Sequence, residues 1–196
     1  MEDPLAPNAV KPLLRGRFGQ VYRYAESTPS TQRMLAGDEA EGAVAVAEEQ
    51  TEGRGRLGRH WEAPAGTSVL VSVLLLPSVA ASRLPELSPV AGNAVAEAIL
   101  EVTGIEPAIK FPNDVLIGGR KVAGILAESS EGRVVLGIGV NANQTREQLP
   151  ANAQTEPTSL RLELGEPVSR LRLLAAILLQ LERAYDVWVK ETSTSG

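Results

Sequence analysis

Cysteine is absent from the 196-residue chain, and histidine occurs once, at His60. Without cysteine there is no disulfide framework, no thiolate nucleophile, no Fe–S cluster and no thiolate-bound zinc. A single imidazole excludes zinc sites built on two or three histidines, and a Ser-His-Asp triad would have to use His60 itself. Long apolar runs are lacking as well. The longest, Val69 to Leu76, contains Ser72 and stops at Pro77, well short of the roughly 20 residues of a membrane span. Cations are outnumbered, 19 Lys and Arg against 24 Asp and Glu, for a net charge of −5. That balance opposes binding to DNA or to an anionic membrane. Met1-Glu2-Asp3-Pro4 has acid and proline where a signal peptide needs cations and then an apolar run, so a cytoplasmic location is expected. Any catalysis must rest on lysine, arginine, carboxylates and backbone amides.

The length suits one domain. Residues 1–14 hold three prolines and no clear period, which predicts a loose arm over 1–16. Phe18 to Tyr24 alternates like a strand, and Thr28-Pro29 reads as an N-cap and first turn of a short helix ending at Gly37. Val44–Ala47 and Thr67–Leu76 read as buried strands, separated by a long loop from Gln50 to Gly66. Leu84 to Val102 has helical spacing and is closed by Gly104. Ala108–Phe111, Val115–Ile117, Lys121–Glu128 and Val134–Val140 are short strands joined by tight turns such as Gly118-Gly119, an antiparallel meander rather than a doubly wound sheet. A last helix starts at Ser169 with an apolar stripe from Leu171 to Trp188. Residues 191–196 are expected to fray.

Within the long loop, Gly53-Arg54-Gly55-Arg56-Leu57-Gly58-Arg59-His60-Trp61 concentrates positive charge. The preceding residues 38–52 carry six acids and no base. Glycines permit positive φ and close backbone approach to a ligand, and the arginines between them suit carboxylate or phosphate oxygens. This pattern fits an anion-gripping loop, and equally a solvated basic turn. An Arg-Gly nucleic-acid segment fits less well, because the run is short and the chain acidic. Trp61 reads either as a core residue opening the next strand or as a stacking platform.

In Lys110-Phe111-Pro112-Asn113-Asp114 the proline breaks an apolar stretch and gathers polar residues around the break. The plain alternative is an Asx turn. Lys121 follows the Gly118-Gly119 turn, where an exposed hairpin lysine is the usual case. Gly124 in Ala123-Gly124-Ile125-Leu126, and the glycines of Gly137-Ile138-Gly139-Val140-Asn141, mark strands that a ligand or another chain segment approaches closely. Together they predict a smooth floor.

These segments, with Ser30-Thr31-Gln32 and Gln50, resemble the catalytic domain of the biotin protein ligases in order and spacing, over about residues 17–190. The resemblance implies an α+β fold: a mixed, mostly antiparallel sheet flanked by helices, related to class II aminoacyl-tRNA synthetases. It implies ATP-dependent formation of biotinyl-5′-AMP, with Mg2+ accompanying ATP, and transfer of biotin to a lysine of a biotin carboxyl carrier protein. By position, Ser30, Thr31, Gln32, Gln50, Gly53, Arg54, Gly55, Arg56, Lys121 and Gly124 would bind biotin. Arg56, Arg59, Trp61, Asn113, Lys121 and Asn141 would bind ATP. Lys121, Arg54, Arg56 and Asp114 would be catalytic, with Lys121 bridging the biotin carboxylate and the α-phosphate.

Gln32 stands where the family usually has Asn, Phe111 where it has Trp, and Leu57 where some members add an arginine. Neither an N-terminal helix-turn-helix domain nor a C-terminal β-barrel domain is expected. A homodimer is a family-level expectation. Two other functions are weighed: a lipoate–protein ligase on the same fold, and a non-catalytic biotin- or nucleotide-binding module. The related octanoyl transferases need a cysteine nucleophile, which this chain lacks.

Overall fold

A computed structural model describes residues 4–193. Its frame is one seven-stranded sheet in the order β1-β2-β3-β7-β6-β5-β4. The strands are β1 (Tyr22–Thr28), β2 (Val44–Gln50), β3 (Ser68–Leu75), β4 (Ala108–Lys110), β5 (Asp114–Ile117), β6 (Arg120–Ser130) and β7 (Arg133–Asn141). Only β1 and β2 run parallel; every other neighbouring pair is antiparallel. The expected meander is therefore β4 to β7, and the mixed sheet flanked by helices is the observed fold.

All eight residues of β3 are buried, which explains a continuous apolar run with no polar alternation. Its two faces nevertheless do different work. Val69, Val71, Val73 and Leu75 join the main core, whereas Leu74 packs with Leu35, Ala43 and Ala45 in a smaller cluster on the opposite face. The main core is completed by α2 (Leu87–Thr103) and α4 (Arg170–Ser193), which pack on each other. Gly104, in the left-handed region, closes α2 as expected. The Ser169 Oγ accepts from the Arg172 N–H at 3.3 Å, the N-cap role foreseen for it. With the helices on one face, the other is free to carry a site.

Four local expectations need correction. The N-terminal segment is no loose arm: Leu5 and Val10 lie fully buried in the main core, and α1 (Pro7–Val10) follows directly from Ala6. Leu5 donates its N–H to Glu48 Oε1 at 2.6 Å and its carbonyl accepts from the Tyr22 hydroxyl at 2.6 Å. These are long-range bonds, invisible to any local pattern. The first strand begins at Tyr22, since Gly19 turns the chain with φ +86° and Phe18 drops into the core against Tyr185. The helix expected after Thr28-Pro29 is a single 3-10 segment, Thr31–Leu35: β1 runs on through Thr28, and the Thr31 N–H and hydroxyl bond the Gln50 side chain of β2. Finally, α4 continues through residues 191–193, so the expected tail is helical there; residues 194–196 lie outside the described part.

A charged pair anchors the buried frame. Arg170, at the start of α4, places Nη1 2.7 Å from Glu48 Oε2 and 3.1 Å from the Ser68 carbonyl. Glu48 thereby links β2 to α4, to the N-terminal segment and, through the Tyr24 hydroxyl at 3.3 Å, to β1.

Candidate active site

The open face of the sheet holds a cavity of about 880 Å³. Strand alternation builds its floor. Val134, Leu136, Ile138 and Val140 of β7 point to the helices, which leaves Gly137, Gly139 and Asn141 on the cavity side. Gly124 of β6 pairs directly with Gly139 of β7. The indole of Trp61 lies on that pair: a Cβ added at Gly139 would stand 2.6 Å from its ring, and one at Gly124 2.9 Å. Gly137 meets the Gln32 carboxamide in the same way, at 3.3 Å. The floor is therefore smooth, as the sequence suggests, and part of it is already covered by Trp61. The reading as a core residue opening the next strand does not hold, because Trp61 is half-buried and belongs to neither core cluster. It is a platform resting on the sheet, and the next strand begins only at Ser68.

At one end sits a polar group. Thr31 donates both its N–H (2.8 Å) and its hydroxyl (3.0 Å) to Gln50 Oε1, and its Oγ1 lies 2.8 Å from Ser72 Oγ. Gln32 donates to the carbonyls of Leu126 (3.2 Å) and Val135 (3.3 Å). Ser30, Thr31 and Gln32 are all buried.

At the other end Lys121 Nζ is 2.7 Å from Asp114 Oδ1 and 5.6 Å from the Trp61 ring centre. Both side chains are mostly buried, so Lys121 is no ordinary hairpin lysine. Its backbone is clamped by a segment that carries no motif: Lys121 N–H donates to the Glu156 carbonyl (2.7 Å), and Thr158 N–H to the Lys121 carbonyl (2.8 Å). Asn113 bonds Ile125 through its side chain (3.2 Å) and its own carbonyl (2.9 Å), and accepts from Arg56 Nη1 at 3.2 Å. The Asx-turn alternative thus gives way to cross-strand bonding.

The Arg-Gly loop closes over one side. Gly53 and Trp61 form its neck, with Trp61 N–H donating to the Gly53 carbonyl at 2.9 Å. A side chain at Gly53 would collide with the Trp61 carbonyl, so that glycine is required by backbone approach. Gly53 is also the one site residue chosen from sequence that does not line the cavity. Of the three loop glycines only Gly58 uses positive φ (+72°). Arg54 pairs with Glu128 at 2.9 Å, both half-exposed. Arg54, Gly55, Arg56 and Arg59 all face the cavity, as do Asn113, Asp114, Lys121, Gly124 and Asn141.

The sequence reading missed two parts of the wall. One is the stretch from Pro150 to Thr155, aperiodic and flanked by prolines, which gave no signal of chemistry. The other is Glu62, next to Trp61, which also lines the cavity, while Phe111, quoted in its motif without a site role, stands 76% exposed at the edge. Lys110, noted only as part of its motif, donates to Thr155 Oγ1 at 3.1 Å and ties that stretch to β4.

A mixed sheet with its helices on one face, and on the other a glycine floor beneath an arginine-bearing loop, defines an α+β domain with a ligand-sized cavity on its open face. Residues 24–144 match the Biotin/lipoate A/B protein ligase family, and the chain belongs to that family. It is 40% identical over 165 residues to the bifunctional ligase/repressor BirA of Bacillus subtilis, covering 81% of this chain and 51% of the relative. It is 39% identical over 161 residues to the biotin--[acetyl-CoA-carboxylase] ligase of Mycobacterium tuberculosis, covering 80% and 59%. Among solved structures, the biotin protein ligase of Aquifex aeolicus in complex with biotin and ATP superposes with a TM-score of 0.80 at 32% identity, over 88% of this chain and 73% of that one. The chain spans about half the length of the first of these curated relatives.

Proposed function

We propose that this chain joins biotin to a protein lysine in two steps, through biotinyl-5′-AMP. A biotin carboxylate oxygen attacks the α-phosphorus of ATP, and the bond to pyrophosphate breaks. A lysine amine of a biotin carboxyl carrier protein then attacks the acyl carbon, loses a proton and releases AMP. The observation that carries this reading is the cavity itself, which unites a neutral hydrogen-bonding end, at Thr31 and Gln50, with a charged end, at Lys121 and Asp114. The names of the relatives in Mycobacterium tuberculosis and Aquifex aeolicus support it.

The chemistry brings two anions together, so fixed positive charge must offset their repulsion and the charge that develops in line. Lys121 fills that role at the junction, held in place by Asp114 and by the strand pairing at Glu156 and Thr158. Ser30, Thr31, Gln32 and Gln50 receive the ureido ring of biotin on the neutral side. Trp61 offers its outer face to the adenine, and Arg56, Arg59, Asn113 and Asn141 surround the nucleotide. Arg54 and Arg56 close the loop over the adenylate, which excludes water from a hydrolysis-prone anhydride. Mg2+ would accompany ATP and neutralise phosphate charge. Among the described residues no three carboxylate or imidazole groups cluster as a resident cage, whereas Asp114 lines the cavity with carboxylate oxygen. One or two protein oxygens are what a metal–nucleotide complex takes.

Pyrophosphate exchange into ATP tests the reading. Exchange is expected with biotin and not with lipoate. Binding of biotin without exchange would leave a binding module, and exchange with lipoate alone would make the chain a lipoate ligase.

A further inference from the structure

Gln144 belongs to no motif described above, yet it is fully buried and touches a site residue. Its Nε2 donates to Asn141 Oδ1 at 3.0 Å and to Ser68 Oγ at 2.6 Å. Its backbone carbonyl accepts from Ser159 Oγ at 2.7 Å. Asn141 in turn donates Nδ2 to the Thr158 carbonyl at 3.0 Å. These two bonds fix the polarity of the Asn141 carboxamide. Rotated by half a turn, it would set N–H against N–H at Gln144 and oxygen against oxygen at Thr158.

The frame around this pair is rigid. Gln144 is bonded to Ser68, whose carbonyl is held by Arg170, and Thr158 is paired to Lys121, so the two groups that define the Asn141 amide are tied to the core and to the charged end of the cavity. Gln144 Oε1 is buried with no hydrogen-bond partner. A desolvated acceptor is costly, and it accompanies an orientation in which the amide nitrogen, not the oxygen, faces Ser68 and Asn141. An asparagine side chain has two donors and two acceptor positions. With one of each consumed, a single N–H and a single lone pair remain, and Asn141 lines the cavity.

We infer that Gln144 is a positioning residue, which presents the free N–H and the free lone pair of Asn141 to the nucleotide in one fixed order. The inference rests on the nucleotide reading of the Asn141 end given above. Three measurements test it together. In the wild-type chain the Gln144 side-chain amide protons are expected to exchange slowly with solvent by NMR; rapid exchange would overturn the contact without any variant. In Gln144→Met, which keeps length and loses both donors, the Asn141 side-chain amide signals are expected to shift. The KM for ATP in pyrophosphate exchange should rise about tenfold with kcat changed far less, as for lost uniform binding. In an Asn141→Ala background the same substitution should leave the KM for ATP unchanged.

Unmoved Asn141 signals, a loss confined to kcat, or an equal rise in KM in the Asn141→Ala background would each overturn the inference. Wild-type protein that gives no exchange would defeat the activity reading instead, and the NMR comparison would still decide the Gln144–Asn141 contact.

Discussion

The Lys121 ammonium is held 2.7 Å from the Asp114 carboxylate across the β5–β6 pair. The contact brings a fixed positive charge to the wall of a cavity whose floor carries no side chains at Gly124 and Gly139. Lys121→Ala should therefore reduce biotin-dependent pyrophosphate exchange by about 10²- to 10³-fold, the usual cost of removing one group that stabilises developing charge. Turnover at the wild-type rate would remove Lys121 from the chemistry.

Gly139→Ala should dislodge Trp61, because the new methyl would stand 2.6 Å from the indole. The other tryptophan, Trp188, is buried and bonded to Glu86, so a change in emission wavelength reports on Trp61. Loss of a stacking partner should raise the KM for ATP about tenfold. An unchanged spectrum would mean that the floor yields instead.

Arg54, Arg56 and Arg59 lie in a loop closed at its neck by the Gly53–Trp61 bond. Biotin with ATP should slow tryptic cleavage at these arginines relative to the ligand-free chain, since ordering over a ligand buries the sites. Equal cleavage rates in both states would argue against a closing role.

Glu48 is buried and bonds Arg170, Leu5 and Tyr24 at once. Glu48→Ala should cost about 3–5 kcal/mol of stability, because it removes the carboxylate paired with a buried guanidinium. Urea unfolding would measure this. A loss below about 1 kcal/mol, the scale of an exposed pair, would show that the network is solvated.

Asp186 accepts from Arg17 at 2.9 and 2.6 Å, and that hydrogen bonding holds its carboxyl below the usual aspartate value. A depressed value in the folded state contributes stability above the ordinary value of 3.8, and that stability is lost as pH falls through the depressed one. The gap in stability between the wild type and Asp186→Asn should stay level from neutral pH down to about 5 and then close. Since both partners are half-exposed, the gap should not exceed about 1 kcal/mol. A gap that widened in acid would contradict the assignment.

Elements whose residues pair with sequence neighbours were legible in the chain. The meander follows from tight turns at Gly118-Gly119 and Glu131-Gly132, and α2 and α4 from apolar spacing with recognisable ends. What escaped was set at long range. Leu5 is ordered by Glu48, forty-three residues away, and Thr31 by Gln50. The cavity wall at 150–155 has no periodicity to read, and its place depends on Lys110 and on the clamp at Lys121.

The same division holds for the site. By itself the sequence determined the chemical inventory: no thiol, one imidazole, and lysine, arginine and amides in motifs whose order resembles one family. Residue types and spacings carry that information directly. Tertiary structure alone decided which groups remain free to act. Gln50 gives its oxygen to Thr31, Arg54 one nitrogen to Glu128, and Asn141 one N–H to Thr158 and one lone pair to Gln144, which leaves one of each. Hydrogen-bonding capacity is finite, and only the folded chain determines how it is shared.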